Sequence, residues 1–252
     1  MDKKKIKEII DYVILTAAFV AILVLGIIEK QDVIKLIPAL FGLFVYLLAS
    51  KAFRIAYLFG ALNSGLLSIG YFMMGLYGNA FVNLVLYVPL QVFTFIQWSK
   101  KKYKHSTEFR MLPKKWSILL AVGATVAWAV CWLILSNIPG SSSLCMFDAV
   151  GTILGPITAV TTMFALMETI GYELVATTSG VVMWIITIVT SAMAGNGIAD
   201  ITYLITTVFT LYCQICKTFT WIKLYKEQKN NALLQPVPQN EETEEETTEI
   251  TA

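Results

Sequence analysis

Residues 78–98 read GNAFVNLVLYVPLQVFTFIQW, and residues 195–214 read GNGIADITYLITTVFTLYCQ. Each stretch begins with Gly-Asn, carries a polar residue four positions after that Asn (Asn83 and Asp200), and continues as a long apolar segment. The two copies lie 117 positions apart. A repeated, polar-decorated start of an apolar helix is typical of proteins that move a small polar solute across a membrane.

The composition predicts an integral membrane protein. Of the 252 residues, 57% are hydrophobic and only 14% are charged, which is too apolar for a soluble domain of this size. A helix needs about 20 apolar residues to cross a bilayer core, and runs of this length must be helical because lipid offers the backbone no hydrogen bonds. The predicted fold class is therefore all-α, with eight transmembrane helices at 12–28, 33–50, 53–77, 79–98, 115–136, 147–167, 174–194 and 198–222.

The basic residues predict the orientation of these helices. If the amino terminus lies inside, 17 of the 19 Lys and Arg residues fall in cytoplasmic segments, and only Lys30 and Lys35 lie outside. The positive-inside rule therefore predicts that both termini are cytoplasmic. We expect the first apolar run to be retained rather than cleaved as a signal, because no polar mature domain follows it.

The eight windows divide into an extra helix, a triplet, a linker helix and a second triplet. Because a triplet has an odd number of spans, two successive triplets would cross the membrane in opposite directions. One linker helix between them gives both triplets the same direction, which predicts parallel repeats like those of SWEET transporters. The acidic end of the chain is too polar to fold and is predicted to be disordered. The predicted regions are 1–32 (amino terminus and peripheral helix), 33–98 (first three-helix bundle), 99–146 (basic cytoplasmic loop and linker helix), 147–226 (second three-helix bundle) and 227–252 (acidic cytoplasmic tail).

Asn83, Tyr87 and Gln91 recur every four residues, so each is rotated about 40° from the previous one around the helix. Amides that face lipid are costly, so this stripe is predicted to face protein or a water-filled cavity. Amides both donate and accept, which suits a neutral polar solute; the alternative is that they bond neighbouring helices together. Asn63, near the middle of its span, is predicted to face the same cavity.

The second triplet supplies further candidates for the solute pathway. Trp184 lies inside its span, where an aromatic ring can stack on a flat heterocycle; plain packing is the alternative. The predicted substrate-binding residues of this triplet are Thr177, Trp184, Tyr203 and Thr207. Three more tryptophans near the cytoplasmic interface are interpreted as an aromatic belt; they are Trp98, Trp116 and Trp221.

No enzyme, cofactor, metal site or nucleic-acid partner is predicted. The chain has no Gly-rich phosphate loop ending in Lys and Ser or Thr, no His-Glu-x-x-His motif, and a single histidine, His105. Cys213 and Cys216 are interpreted as packed thiols, because no second pair of metal ligands accompanies them. The scarcity of acidic residues within the spans favours facilitated diffusion over ion coupling.

The run Asn83-x3-Tyr87-x3-Gln91-x6-Trp98, preceded by Gly-Leu-Tyr-Gly-Asn at 75–79, resembles the PnuC family of bacterial nicotinamide riboside transporters. The resemblance extends over roughly 33–226 and includes Phe-Gly-Ala-Leu-Asn-Ser at 59–64 and Phe-Asp-Ala at 147–149. It implies two three-helix bundles around a linker helix, a homotrimer in the bacterial plasma membrane, and import of nicotinamide riboside by facilitated diffusion. It also implies that a cytoplasmic kinase traps the substrate, and that the pathway residues of the first triplet are Asn63, Asn83, Tyr87 and Gln91.

The chain departs from this family at the start of the seventh span. Nicotinamide riboside members carry a Trp-x-x-Trp pair there, whereas residues 170–179 contain no Trp. A related transporter for thiamine, riboflavin or a deoxynucleoside is therefore an alternative, and a non-transporting membrane scaffold is a more distant one. The expected partners are a small-molecule substrate and the lipid bilayer.

Overall fold

A computed structural model of the protein describes residues 3–28, 33–73, 83–104, 106–137, 145–193 and 201–234. Within these ranges the chain is almost entirely helical. The helices are α1 (Lys3–Ile28), α2 (Val33–Ser50), α3 (Ile55–Met73), α4 (Val88–Lys100), α5 (Lys114–Ser136), α6 (Cys145–Met163), α7 (Thr169–Met193) and α8 (Ile201–Leu234). A π-helical turn, Asn83–Tyr87, runs directly into α4, and a short hairpin of β1 (Lys102–Tyr103) and β2 (Ser106–Thr107) follows it.

The predicted all-helical class is confirmed for the described residues. By length and composition alone, four of the described helices can cross a bilayer: Glu8–Ile28, Lys114–Ser136, Cys145–Met163 and Thr169–Thr190. Two shorter apolar helices are Leu36–Ser50 and Ile55–Ile69. The predicted repeat of Gly-Asn starts at 78–79 and 195–196, together with Asp200, lies outside the described residues.

The helices pack in two groups of three. Helix α3 packs against α2 and α4, and α7 packs against α6 and α8. The two groups meet where α4 contacts α6 and where α2 contacts α8. The linker helix α5 packs against α6, and α1 packs against both α2 and α8. The seam between the groups is therefore formed by elements from both halves of the chain.

Helix α1 is held against this seam by a buried carboxylate. Asp11 is only 4% exposed. The Tyr212 hydroxyl of α8 donates to its Oδ1 at 2.7 Å, and the Lys51 Nζ lies 3.5 Å from its Oδ2. Because a buried charge needs partners, these contacts fix α1 to both groups rather than leaving it loosely peripheral.

The acidic tail predicted from residue 227 is wrong over residues 227–234, where α8 continues as a helix. This last part of α8 is held by the hairpin. The Gln228 Nε2 donates to the Thr107 carbonyl oxygen at 2.8 Å, and Lys104 pairs with Glu227 at 2.7 Å. The hydrogen bond from Lys104 also holds the pKa of the Glu227 carboxyl below its usual value. Residues 235–252 lie outside the described residues.

Candidate functional site

A cavity of about 330 Å³ lies between the two groups of helices. This volume is within the range of sites for small molecules. All six helices of the two groups contribute to its lining, together with the π-helical turn. Its polar lining residues are Tyr46, Tyr57, Tyr87, Gln91 and Thr94 from the first group, and Thr158, Thr162, Glu173, Thr177, Thr210, Gln214 and Lys217 from the second.

Gln91 is positioned by two residues of α3. Its Nε2 donates to the Ser64 Oγ at 3.0 Å. Gly60, one turn before Ser64, leaves the space that the amide occupies, and a methyl group at position 60 would overlap the Gln91 side chain. The absence of a side chain at Gly60 is therefore what allows the amide to lie between α3 and the cavity.

Tyr87 reaches from the first group to the second. Its hydroxyl would lie 2.7 Å from a Cβ atom placed on Gly155 of α6, so this glycine makes room for the ring at the seam. Tyr87 is the last residue of the π-helical turn, and such turns are frequent at functional sites. The change to regular α-helix follows at Val88, one residue before Pro89.

A buried ion pair occupies the side of the cavity formed by α7 and α8. The Lys217 Nζ lies 2.8 Å from Glu173 Oε1 and 2.7 Å from Oε2. The Lys217 and Glu173 side chains are 4% and 15% exposed, respectively. The Lys217 ammonium also lies 4.1 Å from the centroid of the Trp221 ring, a cation–π contact. These are the only charged residues among the described residues that line the cavity.

Two polar atoms in the lining have no hydrogen-bond partner among the described residues. They are the Tyr57 hydroxyl and the Gln214 Oε1, and both are buried. An unpaired polar group in an apolar environment costs free energy, so polar groups of this kind are available to a bound solute. Thr177 and Gln91 add a hydroxyl and an amide to the same surface.

An aromatic cluster of Tyr57, Trp98, Phe109 and Trp221 adjoins the cavity through Tyr57, the member that lines it. The Trp98 ring centroid lies 4.6 Å from that of Tyr57 and 5.5 Å from that of Trp221. The Trp98 Nε1 donates to the Thr162 carbonyl oxygen at 2.9 Å. Trp98 and Trp221 are fully buried, so their interpretation as an interfacial belt is wrong. The two tryptophan rings do not face the lipid interface, because they pack against each other between the two groups of helices.

The loop after α4 supports this cluster. Phe109 donates its backbone N–H to the Gln228 Oε1 at 2.9 Å. The backbone of Arg110 pairs with Ala165 and Met167 in the turn between α6 and α7, at 3.0 and 2.9 Å. The loop is thereby fixed to α8 and to the turn between α6 and α7, and Phe109 is held against the tryptophans.

Three of the eight residues predicted to bind substrate line the cavity: Tyr87, Gln91 and Thr177. Asn83 begins the π-helical turn and Trp184 lies half-buried in α7, and neither is among the lining residues. Tyr203 belongs to α8, but its side chain is outside the described part of the chain.

Asn63 and Thr207 lie at contacts between neighbouring helices. The Asn63 Nδ2 would be 3.4 Å from a Cβ atom on Gly42 of α2, and the Thr207 Cγ2 would be 3.3 Å from one on Gly180 of α7. Both side chains therefore pack where a glycine lets two helices approach, and neither lines this cavity.

Sequence reasoning missed the charged pair and most of the α8 lining. Lys217 is counted there only as one of the basic residues of the cytoplasmic segments, and that count does not predict that its side chain is buried. A signal for these residues exists in the sequence. Thr210, Gln214 and Lys217 recur at intervals of four and three, the spacing of one helical face.

Comparisons with known proteins agree with this architecture. Residues 32–223 match the family model described as nicotinamide mononucleotide transporter. The structure is similar to a solved structure described as the crystal structure of the vitamin B3 transporter PnuC, with a TM-score of 0.67 and 20% sequence identity. The similarity covers 86% of this chain and 92% of that chain. A comparison with curated proteins found no match.

Proposed function

Because the chain belongs to the nicotinamide mononucleotide transporter family, we propose that it imports nicotinamide riboside, the unphosphorylated form of that compound. The family is one of membrane transporters of vitamin B3 precursors and not of enzymes. The observation that carries the proposal is the cavity at the seam of the two helix groups, with the polar side chains of Tyr87 and Gln91 in its lining. Amides and hydroxyls pair with the carboxamide and ribose of such a solute.

The proposed mechanism is alternating access by facilitated diffusion. The two groups meet along helix pairs that flank the cavity, so one group can rock against the other around it. Lys217 pairs with Glu173, so no carboxylate without a basic partner lines the described part of the cavity, which favours facilitated diffusion over ion coupling. A cytoplasmic kinase then traps the imported solute by phosphorylation. In this proposal the protein lies in the bacterial plasma membrane with both termini in the cytoplasm, an orientation supported by its basic segments.

Paired features support a parallel repeat of the two triplets. Ala52, after α2, and Ala165, after α6, both adopt a positive φ, 57° and 56°, and both are buried. Trp98 of α4 and Trp221 of α8 belong to the same buried hydrophobic cluster as these alanines. Corresponding positions of antiparallel repeats would lie at opposite ends of the molecule. The corresponding residues of the two triplets lie in one cluster, which supports triplets that run in the same direction through the membrane.

The proposed assembly is a homotrimer, as the resemblance to PnuC implies. Helix α5 has an apolar face that another molecule can cover. It packs against α6 and leaves large apolar side chains exposed, including Ile118 at 64% and Leu133 at 58%. Lipid or another subunit can cover this face. The mass of the purified protein in detergent, corrected for bound detergent, is expected to equal three chains of 28.0 kDa. A mass of one chain would contradict the trimer.

The function is tested by uptake of labelled nicotinamide riboside into liposomes that contain the purified protein, with and without ion gradients. We expect saturable, gradient-independent uptake. Gln91→Ala is expected to lower it about tenfold, the effect of losing one or two hydrogen bonds to the solute. Gln97→Ala removes an exposed amide from the same helix and is the matched control, with uptake unchanged. No uptake of nicotinamide riboside by the unaltered protein would contradict the proposal.

A second candidate function is the transport of thiamine, riboflavin or a deoxynucleoside. It is favoured by the aromatic residues that line the cavity, which are Tyr46, Tyr57 and Tyr87. The Trp-x-x-Trp pair that nicotinamide riboside transporters carry at the start of the seventh span is not present in residues 170–179. Competition by each unlabelled compound in the same assay separates the candidates. Uptake of none of them, with Gln91→Ala altering only assembly, would instead favour a membrane scaffold.

A further inference from the structure

We propose that Glu173 is a specificity-determining residue of the cavity, which accepts hydroxyl groups of the solute and excludes its phosphorylated form. The proposal rests on the proposed function of the cavity, and it assigns the two charges of the lining unequal roles. Glu173 contacts the solute, and Lys217 positions Glu173.

The ion pair is asymmetric in what it offers to the cavity. An ammonium has three hydrogens, and that of Lys217 donates to both oxygens of Glu173, at 2.7 and 2.8 Å, and lies over the Trp221 ring at 4.1 Å. The side chain of Lys217 is 4% exposed. The ammonium is therefore largely enclosed by its partners, although Lys217 contributes to the lining of the cavity.

The carboxylate keeps acceptor capacity that the lysine does not use. A carboxylate has about four acceptor positions, and Lys217 occupies one on each oxygen. The Glu173 side chain is 15% exposed, nearly four times the exposed fraction of Lys217, and it lines the cavity. A solute that enters thus meets acceptor oxygens with negative character.

Neighbouring atoms strengthen this acceptor surface. The Gln214 Oε1, from the same helix as Lys217, is buried without a partner among the described residues. The Tyr57 hydroxyl is likewise unpaired within the described part of the chain and can serve as donor or acceptor. Ribose hydroxyls fit such a surface because each can donate to an acceptor. A positively charged heterocycle also fits, whereas a phosphate would face a carboxylate that is only 15% exposed, where like charges repel each other more strongly than in bulk water.

The test compares two solutes that differ only by a phosphate, nicotinamide riboside and nicotinamide mononucleotide. Binding of each to the purified protein in detergent and uptake of each into liposomes give the ratio of riboside to mononucleotide. We expect the unaltered protein to favour the riboside. Glu173→Gln keeps the shape of the side chain and exposes the Lys217 charge, so we expect the ratio to fall by about tenfold or more. Glu173→Asp retains the charge and is expected to restore most of the preference.

Two further variants keep the test decisive. If Glu173→Gln fails to fold, Glu173→Gln combined with Lys217→Met removes both charges, and its ratio is still expected to fall. Glu227→Gln changes a carboxylate that does not line this cavity and is expected to leave the ratio unchanged. A folded Glu173→Gln protein with an unaltered ratio would overturn the proposal while leaving the transport function intact. Absence of riboside uptake by the unaltered protein would instead overturn the transport function.

Discussion

Replacing Lys217 with methionine is expected to lower the free energy of unfolding by about 3–5 kcal/mol, because it leaves the Glu173 carboxylate buried without its partner. Methionine retains the length and apolar stem of the lysine side chain, so packing against Trp221 changes little. The two oxygens of Glu173 lose their hydrogen bonds at 2.7 and 2.8 Å. Denaturant unfolding of the protein in detergent micelles measures the loss.

Two controls separate the charge from the packing. The double variant Lys217→Met with Glu173→Gln removes both charges and is expected to recover most of the stability, because neutral replacement of a whole buried pair is often harmless. Lys223→Met, six residues further along α8, removes a lysine whose side chain is 79% exposed, and it is expected to change stability by less than about 0.5 kcal/mol. If Lys217→Met were as mild as Lys223→Met, the pair would not be a source of stability.

The periodicity of α4 predicts which side chains share a face, but not which neighbour that face meets. Tyr87 and Gln91 are one α-helical turn apart, and both line the cavity. The prediction that Asn83 shares their stripe assumes a regular α-helix throughout. The turn Asn83–Tyr87 is π-helical, with hydrogen bonds from i to i+5, so residues before Tyr87 are out of the α-helical phase. No residue from Asn83 to Tyr87 predicts a π-helical turn in place of a regular α-helix.

Counting charges by segment predicts an orientation but cannot predict burial. The positive-inside rule counts the Lys and Arg residues near the ends of the spans and does not consider what each side chain contacts. Lys217 is instead enclosed by Glu173 of α7 and by Trp221, one turn further along its own helix. Composition likewise predicts a disordered end from residue 227, because contacts such as that of Gln228 with Thr107 depend on the tertiary fold. Local patterns carry no information about such partners.

Gly60→Ala is expected to reduce solute uptake about as strongly as Gln91→Ala, although residue 60 does not line the cavity. The added methyl group would overlap the Gln91 amide. The amide is the end of a flexible side chain, so it can rotate away, and the protein is expected to fold. Once displaced, the Gln91 Nε2 loses its bond to the Ser64 Oγ and its place in the lining. Uptake by this variant is expected to fall about tenfold, as for a lost hydrogen bond or two to the solute.

Gly65→Ala is the matched control on the same helix, because a methyl group there would meet no atom within 4 Å. It is expected to leave uptake unchanged and to gain up to about 1 kcal/mol of stability from helix propensity. The double variant Gly60→Ala with Gln91→Ala decides the mechanism. If Gly60 acts only by making room for the amide, the double variant takes up solute as well as Gln91→Ala alone, since nothing remains to displace. Additive losses would instead mean that Gly60 shapes the seam between α3 and α4 independently of Gln91.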